Sequence, residues 1–160
     1  MKTVTENENF ENKDLENKEF KNLGLDKASF DNSNLMNANL KGSSFIESSF
    51  ENASLVGANF ENTNLEEASF VNSDIRGASF ENANLVGANF ENTNLENANF
   101  KGANLENVNF DNAILIGSDF ENANLKGASI EDADLTGANL KNTNLEDAVL
   151  IGSILIDVKK

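Results

Sequence analysis

The sequence contains no cysteine and no histidine, and it also lacks tyrosine and tryptophan. Without cysteine the chain forms neither disulfides nor thiolate metal sites. Most of the side chains that serve enzymes as general acids, bases or nucleophiles are therefore missing. The carboxylates, lysines and serines that remain stand at regular repeat positions, with no insertion that could build a pocket. We therefore expect a protein that is not an enzyme and that binds no cofactor and no metal ion.

Basic residues are scarce as well. The chain has 12 Lys and Arg but 27 Asp and Glu, which gives a net charge of −15. This balance argues against direct binding to nucleic acid or to anionic lipid, but it permits binding to a basic surface of another protein. The start of the chain is polar and acidic, so no signal peptide is visible. No apolar run approaches the length that spans a membrane. We expect the protein to be cytoplasmic.

What the sequence does contain is a pentapeptide period. From Phe10 to Leu155, every residue whose number is a multiple of five is Phe, Leu or Ile. We call this residue the centre of its repeat and number its neighbours from −2 to +2. All 16 Ala lie at position −2, and nine of the ten Gly lie at position +2. Position −1 is mostly Asn, Ser or Asp, and position +1 is mostly charged.

A period of five fits neither a helix nor a plain strand. A helix turns by about 100° per residue, so centres one period apart wind around it without forming a stripe. In a strand, an odd step sends successive centres to opposite faces. The pattern instead predicts short extended segments from position −2 to the centre, with a corner at positions +1 and +2. Asn and Gly at position +2 tolerate the positive φ that tight turns require.

Longer periods show how many corners close one coil. Phe occupies nearly every multiple of ten from Phe10 to Phe120, and Leu or Ile occupies the centres between them. At the one exception before residue 120, Leu40 replaces an expected Phe and Phe45 replaces an expected Leu, so the core volume is roughly conserved. This indicates a four-sided coil, made of four pentapeptides, with two facing Phe columns. The predicted core ladder includes Phe50, Phe60, Phe70, Phe80, Phe90, Phe100, Phe110, Leu85, Leu95 and Leu105.

The pattern A(N/D/S)(L/F)xx resembles the pentapeptide-repeat family over residues 24–157, with a looser start from Glu8. The resemblance implies an all-β fold, a right-handed quadrilateral β-helix with four pentapeptides per coil and about seven coils. At the ~4.8 Å spacing of neighbouring strands, such a rod is about 36 Å long. We divide the chain into an irregular N-terminal cap or first coil (1–23), the β-helix (24–157) and a tail (158–160).

Acidic residues are stacked in two columns when the residues at position +1 are sorted by their place in the coil. One column has no basic residue, and its neighbour has Lys126 as its single base. From these columns we predict two adjacent acidic faces that bind a partner; the alternative is that the acids only aid solubility and block edge pairing. The candidate residues are Glu11, Asp31, Glu51, Glu91, Asp111 and Glu131 in the first column, and Glu66, Glu106 and Glu146 in the second.

These features favour a non-catalytic interaction or scaffold rod that binds a basic protein surface. The alternative is a DNA mimic, because −15 over about 36 Å is one net charge per ~2.4 Å, against one per ~1.7 Å in duplex DNA. Some members of the resembled family are DNA mimics that bind DNA gyrase or topoisomerase IV, and some protect these enzymes from quinolones. The plasmid-borne resistance members carry projecting loops, whereas this unbroken repeat is more similar to loop-free members. A third class, a cation-binding protein with a carboxylate ladder, has the weakest support because no loop makes the carboxylates converge.

The two ends of the repeat depart from the pattern. Lys13 and Lys18 occupy position −2 near the start, where Ala stands later. Near the end, apolar residues enter positions that are mostly polar elsewhere. Because an exposed apolar end with unpaired strand edges favours association, we predict a two-fold dimer through the last coils, as in gyrase-binding relatives. The alternative is a final coil covered by the tail. The candidate dimer residues are Val149, Ile151, Ile154, Ile156 and Val158.

Overall fold

The computed structural model describes residues 7–160, which form a single coiled ladder. It contains no helix and no extended multi-residue strand within this range, and its secondary structure consists of isolated parallel β-bridges between short turns. Every bridge joins two residues at position −1 that lie 20 positions apart, from Asn9 with Ser29 to Asn139 with Lys159. The register confirms four pentapeptides per coil, and the described part of the chain makes between seven and eight coils.

Four sides follow one another around the coil. We call them A, B, C and D, and we name each corner by the two sides that it joins. Each side contains position −2 to the centre, and each corner contains positions +1 and +2. The first two centres of each side are Phe10 and Phe30 on side A, Leu15 and Leu35 on side B, Phe20 and Leu40 on side C, and Leu25 and Phe45 on side D.

Every corner depends on a left-handed residue at position +2. From Asn7 to Asp157, each residue at this position has a φ between 54° and 76°. In most corners the first N–H of the next side donates to the carbonyl of the preceding centre, as Ala98 does to Leu95 at 3.0 Å. A positive φ at the second of the two central turn residues is the type II pattern, which favours Gly and Asn. The predicted role of position +2 is therefore confirmed.

The remaining backbone N–H groups bind neighbouring coils. The N–H of each centre donates to the carbonyl at position −1 of the next coil, as in Phe70 to Asn89 at 2.7 Å. The N–H at position +2 donates to the carbonyl at position +1 of the next coil, and the N–H at position −1 donates back to the previous coil. Only the N–H at position +1 has no backbone partner in this scheme. At most corners its partner is a side chain, described below.

The interior is a continuous apolar column. All the core-ladder residues named above are fully buried. Phe rings on side A stack on one another, as Phe70 does on Phe90 with centroids 4.6 Å apart. They meet the side C rings edge to face, as Phe70 meets Phe80 at 5.9 Å. Phe45 lies on side D but reaches the same column, 5.5 Å from Phe50. Two facing Phe columns are therefore present as predicted.

Small residues at position −2 complete this interior. Ala fits beside the large centres, and the buried Ser and Thr residues donate to backbone carbonyls of the centres. Ser48 Oγ, for example, donates to Leu25 O at 2.9 Å, and Thr63 Oγ1 donates to Phe60 O at 2.6 Å. These bonds compensate the loss of water that burying a hydroxyl entails.

The ends follow the same backbone scheme. Residues 7–23, for which the sequence suggests an irregular cap, have the same turns and bridges as the inner coils. The rest of that segment, residues 1–6, lies outside the described part. Within residues 7–160 there is no helix that is long and apolar enough to cross a membrane.

Candidate interaction surface

The two acidic columns lie at corners AB and DA, so they border one side of the rod. Glu51 and Glu91 stand at corner AB, and Glu66 and Glu106 stand at corner DA. Position +1 lies at the corners, as the sequence predicts, so the two predicted acidic faces border one common side. Side A lies between both columns, and we call side A with its two corners the acidic-edged side.

Small polar side chains cover side A between the two corners. At position −1 of this side stand Asn9, Ser29, Ser49, Ser69, Asn89, Asn109 and Ser129, followed by Val149. The Asn residues bind their own corner, because Asn89 Oδ1 accepts the N–H of Glu91 at 2.9 Å. This side-chain turn supplies the missing partner of the N–H group at position +1. The same bond recurs on the other sides and explains the Asn and Asp at position −1.

At two of the four Ser residues at position −1 of side A, Ser49 and Ser129, an aspartate of the previous coil supplies the missing acceptor. Asp111 accepts both the Ser129 hydroxyl at 2.6 Å and the Glu131 N–H at 2.9 Å. Asp31 accepts the corresponding hydroxyl and N–H groups of Ser49 and Glu51. These aspartates therefore connect one corner to the next.

Glutamates of the same column bind Ser hydroxyls without reaching the next corner. Glu51 accepts the Ser69 hydroxyl at 2.8 Å, and Glu11 accepts the Ser29 hydroxyl at 3.1 Å. With the two aspartates, four acids of corner AB are held along side A by Ser residues.

These bonds separate the predicted site residues into two groups. Asp31 and Asp111 stabilise the next corner as well as carrying charge. Glu91 and Glu131 make no such bond across the coils, since Asn109 binds its own corner and the next residue in line, Val149, has no hydroxyl. The sequence alone suggests one uniform column, because the hydrogen bond joins residues 18 positions apart. The alternation of Ser and Asn on side A is the signal that could have revealed the two groups.

Ion pairs within residues 7–160 lie mainly away from the acidic-edged side. The pairs of Lys41 with Glu61 and of Lys101 with Asp119 and Glu121 lie at corner CD and side C. Arg76 pairs with Asp74 at corner BC. Corner DA has ion pairs only toward its ends, Lys27 with Glu47 and Lys126 with Glu146. In this described range, the acids that border side A without an ion pair include Glu51, Glu91, Asp111, Glu131, Glu66, Glu67 and Glu106.

The titration shifts follow this distribution. The guanidinium of Arg76, hydrogen-bonded to Asp74, lowers the pKa of that carboxyl. The hydrogen bond to Asp119 raises the pKa of Lys101, and the hydrogen bond to Glu146 raises the pKa of Lys126. In the part of the chain that the structure describes, no three carboxylates converge in an arrangement that could hold a metal ion.

Corner DA also contains the residues that fit the turn least well. Of the residues at position +2 between Asn7 and Asp157, only Lys27, Glu47 and Glu67 are neither Asn, Asp nor Gly, and all three lie at this corner. A left-handed backbone costs such residues about 1–2 kcal/mol. Strained residues of this kind cluster at functional sites. The site predicted from sequence does not include Glu47 and Glu67. Their presence at position +2, where Asn or Gly is usual, could have identified them from the sequence.

The last coils expose the predicted apolar residues, but mostly on their sides. Ile151 and Ile156 lie at corners and are 70% and 59% exposed, and Val149 and Ile154 point outward from sides A and B. Of the five, only Val158 occupies an inward position, position −2. The axial end is formed by centres, of which Leu155 is 46% exposed. Leu155 is not among the predicted residues because it continues the core pattern.

Comparison with known proteins agrees with this geometry. The pattern of the family described as "Pentapeptide repeats (8 copies)" matches residues 20–52, 103–142 and 128–159, and that of the "Pentapeptide repeat region" matches residues 43–115. The chain has no match among curated protein sequences.

Three similar solved structures are pentapeptide repeat or quinolone-resistance proteins. HetL, involved in heterocyst differentiation regulation in the cyanobacterium Nostoc sp. PCC 7120, is 23% identical over 96% of this chain and 87% of its own, with a TM-score of 0.49. QnrB1 (R167E, trypsin-treated), a plasmid-mediated fluoroquinolone resistance protein, is 22% identical over 96% and 90%, with a TM-score of 0.45. Rfr23 from the cyanobacterium Cyanothece 51142 is 34% identical over 66% and 63%, with a TM-score of 0.26.

The family patterns together extend from residue 20 to residue 159. They imply the right-handed quadrilateral β-helix to which the four-cornered coil corresponds. Regularly spaced centres, left-handed corners and family patterns agree, and the chain belongs to the pentapeptide repeat family.

Proposed function

We propose that this chain is a non-catalytic interaction rod that binds a basic protein surface through its acidic-edged side. The observation that carries this proposal is the segregation of charge. Within residues 7–160, acids without an ion pair border side A at both corners, while most ion pairs lie on the remaining sides. A surface with one sign of charge attracts and orients a partner of the opposite sign.

Three further features support the same side. The Ser and Asn residues between the two corners are short, so a partner can approach the backbone closely. The Ser–carboxylate bonds hold Asp31, Glu51 and Asp111 in place, which reduces the side-chain entropy lost on binding. Glu67 stands at a backbone conformation that Asn adopts at lower cost, so its carboxylate is retained there against stability.

A short oligolysine peptide tests which side binds cations. Titration calorimetry at low salt compares the wild type with a variant in which Glu66, Glu91, Glu106 and Glu131 become Gln. None of these four carboxylates accepts a hydrogen bond from another coil, so their removal leaves the fold intact. We expect the affinity to fall about tenfold or more, since each lost close pair weakens binding.

The matched control neutralises Glu61, Glu81, Glu96 and Glu121 instead, which changes the net charge equally at corners BC and CD. We expect this control to bind within about twofold of the wild type, because its corners are partly neutralised already. Equal losses in both variants would contradict the proposal, since binding would then follow net charge alone.

A second candidate function is a DNA mimic that binds a type II topoisomerase. The observation that favours it is the pair of acidic rows along one side of a rod, which imitates two phosphate strands beside a groove. The test is DNA supercoiling by bacterial gyrase, titrated with this protein, with and without a quinolone. Inhibition or drug protection that is lost in the Glu66, Glu91, Glu106 and Glu131 variant supports the mimic. If gyrase is unaffected by tens of micromolar of this protein, the DNA mimic is refuted and the interaction rod remains as the proposed function.

We also propose that two copies associate through their last coils. The support is the exposed apolar surface of Ile151, Ile154 and Ile156 around an end whose centres are only partly covered. Replacing Ile154 and Ile156 by Asp should give a monomer in multi-angle light scattering. A wild-type monomer at micromolar concentration would refute the dimer.

A further inference from the structure

Position −2 points into the interior in every inner coil. On sides A, B and C of the second coil it is occupied by Ala28, Ser33 and Ala38, each at most 3% exposed. The first coil has the same backbone conformation, but its corresponding residues are Glu8, Lys13 and Lys18, and all three are exposed. Charged residues therefore stand in positions that become buried as soon as another coil lies above them.

The backbone itself favours such a coil. Among the described residues, Leu140 is the last centre whose N–H donates to a following coil, and the N–H groups of Leu145, Leu150 and Leu155 donate to no backbone carbonyl within residues 7–160. At the opposite end, the carbonyls of Asp14 and Glu19 accept no backbone bond within residues 7–160. In the inner coils, the N–H groups of centres and the carbonyls at position −1 are joined to each other. The last coil of one copy and the first coil of another are thus complementary in hydrogen bonding.

We infer that Glu8, Lys13 and Lys18 prevent the last coil of a second copy from stacking on the first coil. Head-to-tail stacking would move these charges from water into an apolar interior, and even a pair of Glu8 with one lysine would leave the other lysine unpaired. A contact that joins two different ends propagates without limit, and charged residues are a known means of blocking strand edges. The charges therefore confine self-association to the last coil and prevent the rod from growing into a filament.

The experiment replaces the three residues by those that the second coil carries in the same positions, Glu8→Ala, Lys13→Ser and Lys18→Ala. Sedimentation velocity and negative-stain electron microscopy measure the assemblies of the full chain. We expect head-to-tail rods whose mean mass rises about fourfold or more at high micromolar concentration, as an open contact requires. Circular dichroism verifies that the variant is folded. A folded variant with the mass of the wild type would overturn the inference, as would head-to-tail rods of the wild type.

Two further variants distinguish head-to-tail stacking from non-specific association. The first changes Glu16 to Gln, Lys21 to Gln and Lys27 to Asn, which alters the net charge by the same amount at outward positions of the same coil. It should keep the wild-type mass, and filaments formed by this control would count against the inference.

The second adds Ala148→Lys and Ser153→Lys to the triple variant. These changes place charges in inward positions of the last coil, so they should abolish the filaments. Filaments that persist would show that growth does not use the coil ends, and this result too would overturn the inference.

Discussion

At the scale of the residue, position −1 supplies what the backbone lacks. The N–H group at position +1 has no backbone partner in the coil, and at most corners a side chain accepts it. Asn and Asp do so within their own repeat, as Asn109 does for Asp111 at 2.8 Å. Where Ser129 stands instead of Asn or Asp, the acceptor for the Glu131 N–H is the carboxylate of Asp111, one coil away. Part of the acidic column is therefore structural.

The first prediction compares two neighbouring acids of corner AB. Asp111→Ala should lower the free energy of unfolding by about 1–3 kcal/mol, because it removes two charge-assisted hydrogen bonds. Glu131→Ala should change it by less than about 0.5 kcal/mol, as is usual at exposed positions. Asp111→Asn, which retains an acceptor oxygen, should lie between them. Urea denaturation measures all three, and equal values for Asp111→Ala and Glu131→Ala would refute the structural role.

The second prediction concerns Glu67, which has a φ of 57°. Glu67→Asn should raise the free energy of unfolding by up to about 1 kcal/mol, because Asn adopts the left-handed backbone at lower cost. The same change should weaken oligolysine binding. Glu81→Asn is the control, because Glu81 lies at position +1 outside the left-handed region. A variant that loses both stability and binding would contradict the view that strain is retained here for interaction.

At the scale of the element, one coil is a layer whose core must be filled by four centres. Phe45 replaces the ring missing at Leu40 and lies between Phe30 and Phe50 on one side and Phe60 on the other. Both Leu40 and Phe45 are fully buried. The volume of a layer is therefore fixed, but its distribution among the sides is not.

A double-mutant cycle provides the third prediction. Leu40→Phe alone overfills the second coil, and Phe45→Leu alone leaves a cavity, so each should cost about 1–3 kcal/mol. The double variant restores the regular Phe column and should cost less than about 1 kcal/mol. Chemical denaturation then gives the coupling energy. Additive single effects would show that the two positions do not share one space.

At the scale of the whole molecule, charge separates along and around the rod. Corner AB carries acids without any base over its described length, so like charges repel from coil to coil. Hydrogen bonds to Ser orient these carboxylates but do not neutralise them. The rod therefore keeps a repulsion that its fold must overcome, on the same side that we propose for binding.

The fourth prediction follows from this repulsion. Raising NaCl from 0.01 M to 0.15 M shortens the screening length from ~30 Å to ~8 Å and should raise the thermal midpoint. The variant with Gln at Glu66, Glu91, Glu106 and Glu131 should show a smaller rise, because less repulsion remains to be screened. A midpoint that falls with salt in the wild type would mean that its ion pairs outweigh the repulsion.

The fold was predictable from sequence because each position of the repeat has one physical task. The large centres, the small side chains at position −2 and the left-handed backbone at position +2 all appear where the period places them. The surface was less predictable. The bond between Asp111 and Ser129 crosses from one coil to the next and joins residues 18 positions apart. Such contacts depend on the rotamers of individual side chains, which the repeat pattern does not determine.

The register of four pentapeptides per coil has a consequence for inheritance of the surface. Duplicating or deleting one whole coil returns every downstream side chain to its own corner, so length can change while the pattern of charge persists. Loss of a single pentapeptide keeps a Leu or Phe at each centre but rotates everything beyond it by a quarter turn. The interior would survive such an event largely intact, whereas the acidic rows would be severed into two segments on different sides. Selection for a continuous binding side thus favours lineages in which the rod lengthens by whole turns.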